Sequence, residues 1–182
     1  ATLHLAHGRV AAGSRPQVSE IGLRASYGKG VLDVGAIRGV WQGATITGSG
    51  TVPARLFDSW LPASYLATLP PTRTGAQFAA RVSPVTRAAL EPWLSVETLA
   101  ALELSTSATL SLRTDRPALD ALSGELVLDQ LTASASGVPI GQEKPTRLLL
   151  DNGRVRVADL TWTVANARTV ASGNIGLVDR RI

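Results

Sequence analysis

A chain of 182 residues is long enough for one ordinary domain. With 45% hydrophobic and 18% charged residues it is too apolar for disorder, and 17 glycines and 10 prolines punctuate it too often for a helical bundle. Cysteine is absent, which excludes disulfides, thiolate metal sites and a cysteine nucleophile; the net charge of +4 rests mostly on arginine, Lys29 and Lys144 being the only lysines.

From Thr2 to Val52 the residues alternate apolar with small or polar, in runs separated by Gly13-Ser14, Gly28-Lys29-Gly30 and Gly43. That is the pattern of successive hairpins, with turn residues that tolerate positive φ. After Pro53, Leu56, Phe57, Trp60 and Leu61 fall on one helical face and predict a short amphipathic helix over 54–61, stopped by Pro62. Pro70 to Gly75 read as loop and Ala76 to Val82 as a short strand. Ser83-Pro84 predicts a helix through Leu90, and Ser95 caps a second piece through Leu102. Strands then resume, and Asp151-Asn152-Gly153 is the clearest hairpin turn. Three stretches result: a β-meander over 1–53, a helix-containing insert over 54–102 packing on the sheet, and a second β unit over 103–182.

Strand content above half the residues calls for a repetitive sheet. Displacing the chain by 123 residues lays Gly30, Leu32, Val34, Ile37, Ser49, Gly50 and Val52 over Gly153, Val155, Val157, Leu160, Ser172, Gly173 and Ile175 without a gap. A strand unit that cannot close its own core predicts stacking into an elongated sheet.

Residues that carry chemistry are sparse. His4 and His7 are separated by an odd interval, which on a strand sends them to opposite faces. Gly48-Ser49-Gly50 has no histidine set up as its base, and Gly28-Lys29-Gly30 lacks the spacing of a phosphate loop. The carboxylates are scattered singly, so no acid–base pair is indicated. Arg154 and Arg156 share a face but lack the interleaved aromatics of a single-strand nucleic-acid binder. No enzyme, cofactor, metal or nucleic acid is therefore expected. What stands out is an apolar stripe on alternating positions: Leu32, Val34, Leu110, Leu112, Leu126, Leu128, Val155, Val157, Ile175 and Leu177. Such a stripe builds either a sandwich core or, given the small residues beside it, a groove.

The runs G-E-L-V-L-D-Q-L at 124–131, P-T-R-L-L-L-D-N-G-R-V-R-V-A-D-L at 145–160 and A-S-G-N-I-G-L-V at 171–178, with an echo at 46–62, resemble the TamB/AsmA-like envelope proteins, in their C-terminal conserved region above all. The resemblance implies a mainly β fold, an elongated, curled antiparallel sheet (a β-taco) with a greasy interior, here with short amphipathic helices in its middle. It also implies a segment of a longer, periplasm-spanning protein anchored in the inner membrane by parts outside these residues. Phospholipid acyl chains are then the expected cargo, carried between inner and outer membranes along the stripe residues. The alternative is a scaffold or chaperone that assists outer-membrane barrel assembly or secretion by strand addition, with an outer-membrane BamA-like barrel as partner.

Overall fold

The computed structural model describes residues 1–10, 18–70, 75–92, 94–116 and 118–176. The alternating runs form β1 (Thr2–Val10), β2 (Val18–Gly28), β3 (Val31–Trp41), β4 (Ala44–Pro53), β5 (Ala76–Thr86), β6 (Leu102–Thr114), β7 (Ser123–Ala135), β8 (Val138–Gln142), β9 (Thr146–Asp151), β10 (Arg154–Val164) and β11 (Ala167–Gly176). All of them join one antiparallel sheet in chain order, so the protein is mainly β, as its alternation predicts. β8 and β9 share one position between β7 and β10, which gives the sheet ten positions. Lys29-Gly30 and Asn152-Gly153 both place two residues at positive φ (52° and 75°, 49° and 70°), the two-residue turn whose twist matches that of the strands it joins.

The 123-residue displacement is structural and longer than its sequence signature. β3 and β4 map onto β10 and β11 end for end. Leu32 faces Val52 as Val155 faces Ile175, and the register shift between Val34 and Ile37 recurs between Val157 and Leu160. The match extends backwards. Leu3 pairs with Ala25 and Leu5 with Leu23, as Leu126 pairs with Leu148 and Leu128 with Thr146. Even the strained bulge residue returns, His7 at φ 60° and Gln130 at φ 54°. Residues 2–53 and 125–176 are thus one four-position unit used twice. β5 and β6 lie between the two copies, hydrogen-bonded on both sides.

Three expectations change. The middle of the chain is no insert lying on the sheet, because β5 is a central strand of it. The helix expected from Ser83-Pro84 is strand to Thr86, followed only by a 3₁₀ turn at Arg87–Leu90. Pro84 costs no ladder bond there, since it falls in the register shift between Val82 and Val85 on the β6 side, and pairing with β4 runs only as far as Ser83. The segment expected as an amphipathic helix at 54–61 is a 3₁₀ helix at Ala54–Trp60, kinked at Phe57, with no buried residue.

Short helices close the ends of the sheet. α1 (Ala63–Leu66) is held by Arg55, whose guanidinium donates to the carbonyls of Leu66, Leu69 and Pro70 at 2.8–3.3 Å. Leu69 is thereby buried against the Gly30 turn. The Tyr27 and Tyr65 hydroxyls share a 2.7 Å hydrogen bond that pushes Tyr27 above its ordinary pKa. At the other end, α2 (Val96–Ala100) is capped by Ser95, whose Oγ accepts from the Thr98 N–H, as the sequence indicates.

Where the shared position breaks between β8 and β9, a side chain completes the ladder. Gln142 accepts from the Leu131 N–H at 2.8 Å and donates to the Leu128 carbonyl at 2.7 Å. Beside it the buried Thr146 hydroxyl accepts from Trp162 Nε1 at 2.9 Å. Gln142→Leu strands two backbone groups, and we expect a cost of about 2–4 kcal/mol in urea denaturation. Arg116→Ala, which removes an exposed ion pair to Asp120, is expected to stay within about 0.5 kcal/mol. Equal midpoint shifts for the two variants contradict this account of the break.

Candidate functional site

Because side chains alternate along every strand and the pairing is in register, the sheet has two chemically distinct faces. One row of facing residues runs Leu3, Ala25, Val34, Gly50, Phe78, Leu112, Gly124, Leu150, Val155, Ile175. The next runs Leu5, Leu23, Ile37, Gly48, Ala80, Leu110, Leu126, Leu148, Val157, Gly173. Both rows cross all ten positions without a polar residue.

Every described member of the sequence-derived stripe lies on this face. Val34, Leu112, Val155 and Ile175 stand in the first row, and Leu110, Leu126 and Val157 in the second. Leu128 follows in a third row with Val82, Ala108 and Thr146, and Leu32 sits beside Tyr27 and Val52 at the strand ends. Leu177 falls outside the described residues, and Ile175 is placed by its register alone. Sequence reading missed Leu148 and Leu150, because the unbroken run Leu148-Leu149-Leu150 has no alternation to read. It also missed Phe78, in a strand whose outward residues include Ala79 and thus weaken the contrast.

No second layer covers these rows among the described residues. Leu110, Leu112, Leu126, Leu128, Val155 and Val157 are half-buried, while Leu3, Leu5, Leu32 and Phe78 are exposed. Among the described residues the buried apolar ones are Ala25, Ala44, Ala89 and Ala133 with only two larger, Leu69 and Leu131. The chain exposes 12098 Å², against roughly 8,400 Å² for a compact protein of 19.0 kDa. Each half-covered Leu or Val leaves on the order of 1 kcal/mol of transfer free energy unrealised. The face is an apolar platform whose burial is incomplete.

The reverse face is polar and concave. A cavity of about 1080 Å³ is lined by Asp33, Thr51, Gln77, Arg113 and Ser123, by Ser49, Ala79, Ser111, Glu125, Leu149, Arg156 and Asn174, and by Gly50, Phe78, Leu112, Gly124 and Leu150 of the first apolar row that runs between them. Residues from β3 to β11 border one hollow, so the sheet is curled. The bulges in β1, β2, β3, β5, β7 and β10 supply the bending. Of the stripe residues only Leu112 borders this hollow, so the curl does not enclose the greasy interior that the resemblance implies, and the stripe lies on the opposite face. Glu125 is tied to Arg147 at 2.9 Å and Arg113 to the Ser123 hydroxyl at 2.9 Å.

Compared with protein families, with curated proteins and with solved structures, the chain matches none. Among the described residues no helix is long and apolar enough to cross a membrane.

An open apolar face and a closed core respond differently to charge. We expect Leu126→Asp, at a half-exposed site, to cost about 1–2 kcal/mol. Leu131→Asp, at a position 8% exposed, is expected to cost more than about 3 kcal/mol. If chemical denaturation finds both equally destructive, the rows are a sealed interior.

Proposed function

We propose that this chain is a segment of a lipid carrier whose apolar sheet face holds phospholipid acyl chains on their way between the inner and outer membranes of a diderm envelope. One observation carries the reading: two unbroken apolar rows cross all ten sheet positions, and among the described residues no second layer buries them. A sheet normally covers its apolar face with another element. Transfer of an acyl chain from water gains about 0.8 kcal/mol for each methylene covered. Neighbouring positions along a uniform row offer nearly equal energies, so a chain can move from strand to strand with no chemical step. The reading requires no catalytic residue or cofactor. It also places the chain in the periplasm, with membrane anchoring supplied by parts of the protein outside these residues, in line with the resemblance noted in the sequence.

A second reading is favoured by the two ends of the sheet. Among the described residues β1 and β11 are paired on one side only, so each presents backbone donors and acceptors to an incoming strand. A scaffold or chaperone that adds strands of outer-membrane barrel proteins, beside a BamA-like barrel partner, uses such edges and not the apolar rows.

Native mass spectrometry after incubation with phosphatidylglycerol vesicles separates the two readings. The carrier reading predicts lipid adducts on the protein, reduced at least about tenfold by Leu128→Asp or Val155→Asp and unchanged by Thr109→Asp on the polar face. Absence of adducts, or equal loading of all variants, contradicts it.

A further inference from the structure

We propose that the polar hollow binds a hydroxyl-rich molecule carrying two phosphate groups, a sugar or polyol bisphosphate that is either free or the headgroup of a lipid. The site lies on the face opposite the apolar rows and stands apart from both readings of the protein's function.

Three guanidinium groups carry the proposal. Arg113 on β6 and Arg154 and Arg156 on β10 all border the hollow. Both strands are hydrogen-bonded on either side, β6 between β5 and β7 and β10 between β9 and β11, so these side chains stand within the sheet and depend on no free edge. Three exposed arginines outside the hollow, Arg116, Arg147 and Arg168, each hold a carboxylate at 2.8–3.1 Å. Arg154 and Arg156 make no ion pair or hydrogen bond among the described residues. Arg113 uses only its Nε, which donates to the Ser123 hydroxyl at 2.9 Å; that bond orients the guanidinium and leaves its terminal nitrogens as donors. Glu125, which also borders the hollow, is already tied to Arg147.

The chemistry of the ligand follows from this arrangement. A guanidinium fork matches the oxygens of a phosphate group in pairs. Arg154 and Arg156, two residues apart, share one face at a spacing of roughly 7 Å, and Arg113 stands three sheet positions away, about 14 Å along the sheet and less across the curl. Those are two cationic poles, and one phosphate group cannot reach both. The lining around them is hydroxyl, amide and carboxylate: Ser111, Ser123 and Gln77 donate and accept, and Asp33 and Asp151 only accept. The carboxylates disfavour a ligand that is anionic throughout, but accept hydrogen bonds from hydroxyl groups, so a polyol body between the two phosphates fits. A nucleotide fits less well, because the aromatic ring that borders the hollow, Phe78, belongs to the apolar row and offers a base no stacking platform on the polar side. The volume of about 1080 Å³ is at the upper end for pockets that enclose whole organic ligands, roughly 300–1,000 Å³.

Two probes test it on the 182-residue protein at physiological ionic strength: fructose 1,6-bisphosphate by isothermal titration calorimetry, and phosphatidylcholine vesicles doped with phosphatidylinositol 4-phosphate by flotation. We expect saturable binding of at least one, weakened at least about tenfold by Arg113→Ala and by Arg156→Ala. Arg87→Ala removes the same charge beyond the far end of β5 and is expected to change binding less than about twofold. Fructose and inorganic phosphate are each expected to bind at least about tenfold more weakly than the bisphosphate. Arg156→Lys keeps the charge but loses the fork, is expected to bind more weakly than the parent, and serves if an alanine variant misfolds. Binding of the free bisphosphate alone assigns a soluble ligand, and binding of the vesicles alone a lipid headgroup. No saturable binding of either probe, an equal loss in Arg87→Ala, or inorganic phosphate bound as tightly as the bisphosphate overturns the proposal.

Discussion

The whole structure depends on one constraint: a sheet with an apolar face must bury that face against something, and among the described residues almost nothing does so. Among the described residues the buried apolar side chains are four alanines with Leu69 and Leu131, which lie beside the closing segment at one end and the β8–β9 break. Stability must come largely from ladder hydrogen bonding and from cross-strand contacts within the two rows, each pair contributing roughly 0.2–1 kcal/mol. A fold of this kind gains from any apolar partner that covers the rows, which links its incomplete core directly to its proposed work.

The repeat explains how the face stays continuous. Because the unit at 2–53 recurs at 125–176 with the same pairings, the same bulges at His7 and Gln130 and between Val34/Ile37 and Val157/Leu160, and the same turn at Lys29-Gly30 and Asn152-Gly153, its apolar positions return to the same side of the sheet. A slip by one residue would send them to the polar side. Gly50 stands in the first apolar row and Gly173 in the second, so the second unit is slid by two residues along the strands, an even shift that preserves the facing. The bulges bend the strands and curl the sheet, hollowing the polar side where Arg113 and Arg156 lie. Both features arise from local backbone geometry, with no long-range cross-link.

Much of this was legible in the sequence. Asn152-Gly153, the Ser95 cap, the alternation of β3 and β10 and the 123-residue displacement all depend on local chemistry that single residues declare. What was not legible depends on partners. Pro84 reads as a helix start until β6 shows that a register shift absorbs it. Leu148-Leu149-Leu150 carries no period, and only pairing with β7 and β10 assigns Leu149 to the polar side. Bulges at His7, Glu20 and Gln130 put non-glycine residues at positive φ, which no residue type announces. The Gln142 bridge repairs a break that was itself invisible in the sequence.

The central claim, that the apolar rows are accessible, is tested most directly by single-cysteine labelling, which the absence of natural cysteine makes clean. Leu126→Cys and Leu148→Cys are compared with Arg147→Cys on the exposed polar side and Leu131→Cys in the interior. The account predicts that a water-soluble maleimide labels positions 126 and 148 readily in the lipid-free protein, and that phospholipid vesicles protect them while position 147 stays reactive. Positions 126 and 148 as inert as 131 without lipid would contradict it.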